Sequence, residues 1–188
     1  MAKEIKLSKI ILDILTKVIR FLKKYKISYA VMGGIALQAW GKERVTRDID
    51  ITVSLSEIGQ KDFLKLLRKQ GLKLTYPNQE KQIGSFRLIE THYTSPEIGI
   101  PIGIDFFIAQ TEYQRQLLNR AVSLDVMGRK VRLVSPEDLI IQKLLSARPV
   151  DRNDVQDILI EQKAHLDKKY LFFWAKRLGI FRQLARIM

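Results

Sequence analysis

Apolar positions recur at helical spacing over residues 5–23, where Ile5, Ile11, Leu12, Leu15, Val18, Ile19 and Leu22 share a face and Lys9, Lys17, Arg20 and Lys24 lie largely elsewhere. That period predicts an amphipathic helix packed on a core. An apolar run from Ile27 to Met32 then stops at Gly33-Gly34 and passes into Ile35–Trp40, closed by Gly41, which reads as strand, glycine turn and short helix. Residues 48–55 alternate strictly, with Ile49, Ile51, Val53 and Leu55 on one side and Asp48, Asp50, Thr52 and Ser54 on the other. This is the mark of a half-buried strand with a polar face.

Helical spacing resumes from about Glu57 to Gln70 and halts at Gly71. Strand-like runs follow near Ser85–Thr91 and Ile100–Ala109, then a helix near Glu112–Asn119 and a hairpin over 121–134 turning at Met127-Gly128-Arg129. Ser135-Pro136-Glu137-Asp138 supplies a Ser N-cap, Pro at the first helical position and acids in the first turn. Helices are expected over residues 136–146, 152–164 and 168–178. No linker, repeat or low-complexity stretch intervenes, so the pattern predicts one compact unit. An α/β core of mixed strands with its N-terminal amphipathic helix occupies 1–134, and a helical C-terminal portion, 135–188, packs on it.

Composition narrows the function. At 188 residues, 46% hydrophobic and 28% charged, the chain can bury one good core, which excludes disorder and collagen-like repeats. No stretch approaches the ~18 uncharged apolar residues that would span a bilayer, so no membrane partner and a cytoplasmic location are expected. Zero cysteines exclude a disulfide scaffold, a thiolate nucleophile and a Cys-ligated zinc site, and two histidines, His92 and His165, argue against a His-rich metal site. Chemistry therefore falls to carboxylates, hydroxyls and amines. The net charge of +13 sits at the ends: seven Lys/Arg against two acids in residues 1–25, and six against none in 168–188. A basic patch of that kind attracts polyanions, nucleic acid first, or serves as a solubilising surface.

The candidate chemistry lies in the balanced middle. Asp48 and Asp50, at i and i+2 on a strand, point to the same face about 6.6–7 Å apart at Cα and can converge on divalent cations. Oxygen-only ligation selects a hard ion, Mg²⁺ or Mn²⁺. Gly33 and Gly34, between a strand and a helix N-terminus, leave bare backbone for a phosphate to approach. Taken singly, the acids also read as the solvated face of an edge strand and the glycines as a tight turn. Asp105 changes that balance, because it stands in Ile102-Gly103-Ile104-Asp105-Phe106-Phe107-Ile108, a strand with almost no other polar side chain. Burying an unpaired carboxylate costs on the order of several kcal/mol, so a third metal-facing acid fits there.

These residues resemble the nucleotidyltransferases with a DNA polymerase β-like core. That signature is Gly-Gly or Gly-Ser, an Asp-x-Asp ten to thirteen residues on, and a third acid on a later strand; here thirteen residues separate Gly34 from Asp48. Arg44-x-Thr46-x-Asp48-Ile49-Asp50 and the later Ser135-Pro136-Glu137-Asp138 … Lys143 … Arg148 … Asp151-x-x-Asp154 are similar to AbiEii-type and related minimal members, over about residues 28–160. The resemblance implies an α+β (α/β) fold, a nucleotidyltransferase-like mixed sheet flanked by helices. It implies transfer of a nucleoside monophosphate from ATP or another NTP to an acceptor hydroxyl, with Mg²⁺ or Mn²⁺ held by Asp48, Asp50 and Asp105, the last also the general base. Gly33, Gly34, Arg47, Lys143 and Asp154 are then expected to bind the nucleotide, with Asp151 or Asp154 holding Lys143 or touching the nucleotide. Such enzymes modify tRNA ends, partner proteins in toxin–antitoxin systems or small molecules such as aminoglycosides, and the basic termini favour RNA. An antitoxin-like or regulatory binding protein on the same fold is the non-enzymatic alternative.

Overall fold

A computed structural model describes residues 2–42, 46–76, 81–83, 86–97, 99–146 and 148–188, with side chains at all of these except 2–6 and 83. The N-terminal helix α1 (Ala2–Lys24) is followed by β1 (Tyr29–Val31), α2 (Gly33–Trp40), β2 (Asp48–Val53) and α3 (Gln60–Lys69). Then come β3 (Lys73–Leu74), β4 (Lys81–Ile83), β5 (Phe86–Thr94), β6 (Pro101–Ile108) and α4 (Glu112–Arg120). The hairpin β7 (Val122–Val126) and β8 (Arg129–Leu133) leads into α5 (Pro136–Ser146), α6 (Pro149–Glu161), α7 (Lys168–Arg177) and α8 (Phe181–Ala185). The strands form one mixed sheet in the order β3-β5-β6-β2-β1-β8-β7, with β4 also paired to β5. Among the described residues no helix is long and apolar enough to cross a membrane.

The alternation in β2 sets the two faces of the sheet. Ile49, Ile51 and Val53 lie level with Ile104, Phe106 and Ile108 of β6, and all are buried. α1 and α3 close this apolar face: Phe63 of α3 packs edge-on against Phe106, 5.3 Å between centroids, and stacks on Phe21 of α1. The opposite face carries Asp48, Asp50 and Thr52. Thr52 is fully buried there, its hydroxyl 3.2 Å from Met32 Sδ, and Gln142 of α5 donates to the same sulfur. β2 is therefore not the solvated edge strand that its polar residues allowed; it is central, bonded to β1 on one side and β6 on the other.

The mixed sheet and the helical C-terminal run agree with the expected fold, and the differences are local. β1 is shorter than the run from Ile27 to Met32, and Gly33-Gly34 form the first residues of α2 rather than a turn before it. α3 begins at Gln60, after the Gly59 turn, and α6 begins at Pro149, three residues before the expected start at 152, with the proline in its first turn. β3, β4 and α8 are two, three and five residues long, too short for any periodicity to register. The hairpin turns as expected, on two consecutive positive φ values at Met127 and Gly128.

The Ser135 cap is reciprocal: Asp138 N–H donates to Ser135 Oγ at 3.1 Å, and Ser135 Oγ donates to Asp138 Oδ2 at 2.9 Å. Tyr170 OH of α7 donates to the other oxygen at 2.8 Å, while Arg120 of α4 stacks on the Tyr170 ring and reaches Glu137 at 3.2 Å. This clasp ties α4, α5 and α7 together. Burial nevertheless outweighs its donors and raises the Asp138 carboxyl to about 6. Between the unfolded value of 3.8 and that raised value the folded state binds the extra proton, so Asp138 costs stability as pH rises, by up to roughly 3 kcal/mol above pH 6. Asp138→Asn is expected to flatten that part of the stability curve, measured by urea denaturation from pH 4 to 7; an unchanged slope would remove Asp138 as its source.

Candidate functional site

Three strands deliver the acids in two adjacent rows. Asp50 is level with Asp105 in the parallel β2–β6 pair, and Asp105 with Glu90 in the antiparallel β5–β6 pair, so Glu90, Asp105 and Asp50 form one row. His92, Gly103 and Asp48 form the next, two residues along on the same face. Neighbours within a row are about 4.8 Å apart at the backbone. Asp48 is exposed and Asp50 half-buried.

Glycine makes this packing possible at two points. The Asp50 carboxylate lies directly over Gly33, where a Cβ would fall 1.8 Å from Asp50 Oδ2, and the Gly33 φ of +62° is one that side chains rarely adopt. Gly103 gives Asp48 the same room, since a Cβ there would stand 2.9 Å from Asp48 Oδ1. Gly34 faces Thr46, whose hydroxyl donates to the Asp48 carbonyl at 3.1 Å and fixes the entry to β2. The first turn of α2 thus begins under the acids, its unpaired amides and positive dipole end beside them.

Burial first, and neighbouring negative charge second, raise the proton affinity of Asp50 and Asp105. Burial, then the Asp48 charge, pushes Asp50 up to about 6 against the pull of Arg148 and Lys143. Burial, then Asp50, Glu90 and Asp48, pushes Asp105 to about 7, with Lys81 opposing. The donor set is all carboxylate oxygen at sites where glycine leaves space, which suits a hard divalent cation. Among the described residues no three acidic or histidine side chains are gathered closely enough to make a finished metal cage.

A second cluster lies at the α5–α6 junction. Lys143 is only 5% exposed and donates to Asp151 at 2.9 Å and to Asp154 at 2.5 Å. Arg148 grips Asp151 through Nε at 2.8 Å and Nη2 at 3.1 Å. The Ser146 hydroxyl lies between the Lys143 carbonyl and the Asp151 carboxylate. Burial alone would raise Asp151; the hydrogen bonds of Arg148, Ser146 and Lys143 hold it down at about 2.

The structure thus brings Asp48, Asp50, Asp105, Gly33 and Gly34 together and places Lys143 and Asp154 in a buried pair beside them. Arg47 is exposed just before β2, and Arg44 lies outside the described residues. Glu90 and Gly103 carry no mark in the sequence pattern that singles them out. Glu90 stands among Arg87, Thr91 and His92 in β5, so nothing sets it apart along the chain, and only the register shows that it meets Asp105. Trp174 is buried against Tyr113, so it offers no exposed stacking surface. α1 packs on the sheet face opposite the acids, where Lys17 lies over the Tyr93 ring rather than beside the carboxylates.

The fold is that of the nucleotidyltransferases. It matches the solution structure of the antibiotic-resistance factor ANT(2'')-Ia with a TM-score of 0.60 at 13% identity, covering 96% of this chain and 99% of that one. It matches the lincosamide antibiotic adenylyltransferase LnuA with lincomycin bound (TM-score 0.51, 16% identity, 77% and 93% covered) and a Thermotoga maritima protein assigned as a nucleotidyltransferase (0.53, 14%, 82% and 96%). A search among curated proteins finds no match. Residues 11–172 match the profile of the family described as nucleotidyl transferase of unknown function (DUF2204), and the chain belongs to that family.

Proposed function

We propose that the protein transfers a nucleoside monophosphate from an NTP to an acceptor hydroxyl, with Asp48, Asp50 and Asp105 holding Mg²⁺ or Mn²⁺. The observation that carries this reading is the register that sets three carboxylates on one sheet face over the Gly33-Gly34 start of α2. A divalent cation bound there supplies charge neutralisation on the phosphates. The first amides of α2 receive a phosphate oxygen, and the glycines let it approach the backbone. The acceptor oxygen attacks the α-phosphorus, pyrophosphate leaves, and Asp105, farther out along the row, takes the acceptor proton. Kinship with AbiEii-type enzymes belongs to this proposal and rests on the order of Asp48-Ile49-Asp50, Lys143 and Asp154 along the chain.

Two placements favour a small hydroxyl acceptor, neutral or cationic, over RNA or protein. Glu90 extends the acidic row past Asp105 on the side away from Asp50, and Lys17 of α1 stands on the other face of the sheet, over Tyr93. Glu90, paired with Lys81 at 3.4 Å, offers a polyanion no surplus positive charge at this end of the row. The test is incubation with each labelled NTP and Mg²⁺ or Mn²⁺, with total tRNA and with a panel of hydroxyl compounds bearing or lacking amines. Transfer that EDTA abolishes, to the panel rather than to tRNA, is the expected result. Labelling of tRNA would return the acceptor to RNA. No transfer to any acceptor would leave a binding protein on an enzyme's fold.

A further inference from the structure

The geometry points to Arg148, rather than Lys143, as the cation that meets the nucleotide's triphosphate, with Lys143 a positioning residue that acts through Asp151. This rests on the nucleotidyl-transfer reading and names a phosphate-binding residue for it.

Donor counting separates the two cations. Lys143 is buried, and two carboxylates, Asp151 and Asp154, take two of its three donors and more than balance its charge. It has neither the exposure nor the surplus charge to receive a phosphate. Arg148 has five N–H donors, of which the two contacts to Asp151 use two, and its side chain is 65% exposed. Three donors in a rigid plane remain for an anion.

Helix packing puts Arg148 in the right place. At their C-terminal ends α2 and α6 are tied by the Lys42–Asp157 ion pair at 2.8 Å and by the Gln162 amide donating to the Trp40 carbonyl at 3.1 Å. At their N-terminal ends Gln142 of α5 bonds to Met32, the N-cap of α2, while the adjacent Lys143 bonds to Asp151 and Asp154 of α6. The two helices therefore run side by side in the same direction, and both positive ends open beside the acid rows. Arg148 is the N-cap of α6. The charge of Arg148 is also the largest cationic influence on the Asp50 carboxyl, ahead of Lys143. Asp151, held ionised by its partners, keeps the guanidinium tethered at this edge.

Binding of sodium tripolyphosphate and of ATP, followed by calorimetry, tests the assignment. Arg148→Gln is expected to weaken both at least tenfold and to reduce the salt dependence of binding; because it also removes two hydrogen bonds from buried Asp151, its melting temperature should fall, and binding is measured at a temperature where the variant is fully folded. Arg148→Lys, which keeps the charge and loses the fork, is expected to fall between. Arg152→Gln, an exposed cation one turn on, should bind as wild type. Wild-type affinity in Arg148→Gln would overturn the assignment and leave the functional reading standing. Failure of the unaltered protein to bind either ligand would overturn both.

Discussion

Exchanging Asp50 for asparagine is expected to lower nucleotidyl transfer by three orders of magnitude or more, about 4 kcal/mol of barrier, while leaving the fold intact. The substitution is nearly isosteric, so the carboxamide still fits over Gly33, where there is no Cβ to meet it. It removes the half-buried charge that the first turn of α2 and its row-mate Asp105 surround. Without metal, that charge is a burden: burial and the neighbouring Asp48 already push the carboxyl toward its protonated form. Asp50→Asn should accordingly melt no lower than the parent protein in metal-free buffer at pH 7. Loss of activity with a retained or raised melting temperature is the signature of a functional rather than a structural acid. Near-normal transfer by a folded Asp50→Asn protein would remove Asp50 from the reaction and with it the proposed centre. Glu90→Gln, at the outer end of the row, is a useful contrast, since its effect should fall on the KM for the acceptor.

Asp50 and Glu90 also differ in how far the amino-acid sequence alone reveals them. Asp105 is legible because it breaks an apolar strand pattern, and Asp48 and Asp50 because they share the polar face of a strictly alternating strand. Ser135 is legible as a cap because capping is local: its partner lies three residues away. Glu90 and Gly103 are not, because their meaning depends on which residues of β5 and β6 stand opposite one another, and that register is set by long-range packing of Phe106 against Phe63 and of Phe86 against Phe107. The burial of Thr52 on the polar face of β2 is hidden for the same reason: Met32 lies 20 positions from Thr52, and Gln142 lies 110 from Met32, so they cover the threonine only in the fold. The charge at the N-terminus misleads differently. Its total is correct, but composition cannot say which side of the sheet a helix covers.

Replacing Lys143 with methionine is expected to cost about 3–5 kcal/mol of folding free energy, measured by urea or guanidinium denaturation, because it removes the cation that two buried carboxylates share. A Lys on an amphipathic helix with acids capping the next would ordinarily be solvated, and its loss would cost about 1 kcal/mol or less. Here the ammonium, Asp151 and Asp154 are all buried, so no water takes its place at low cost. The acid limb of the stability curve should move with it. Asp151 titrates at about 2 when folded against 3.8 unfolded, so it contributes stability that is present above pH 4 and lost as pH falls toward 2. Lys143 is one of three donors responsible; without it the folded value rises, the contribution shrinks, and acid unfolding begins at higher pH. The double variant Lys143→Met with Asp154→Leu should regain much of the loss, since an apolar pair of similar volume carries no desolvation cost. A loss below about 1 kcal/mol in Lys143→Met would mean that the cluster opens to solvent, and Lys143 would then again be free to meet a phosphate directly.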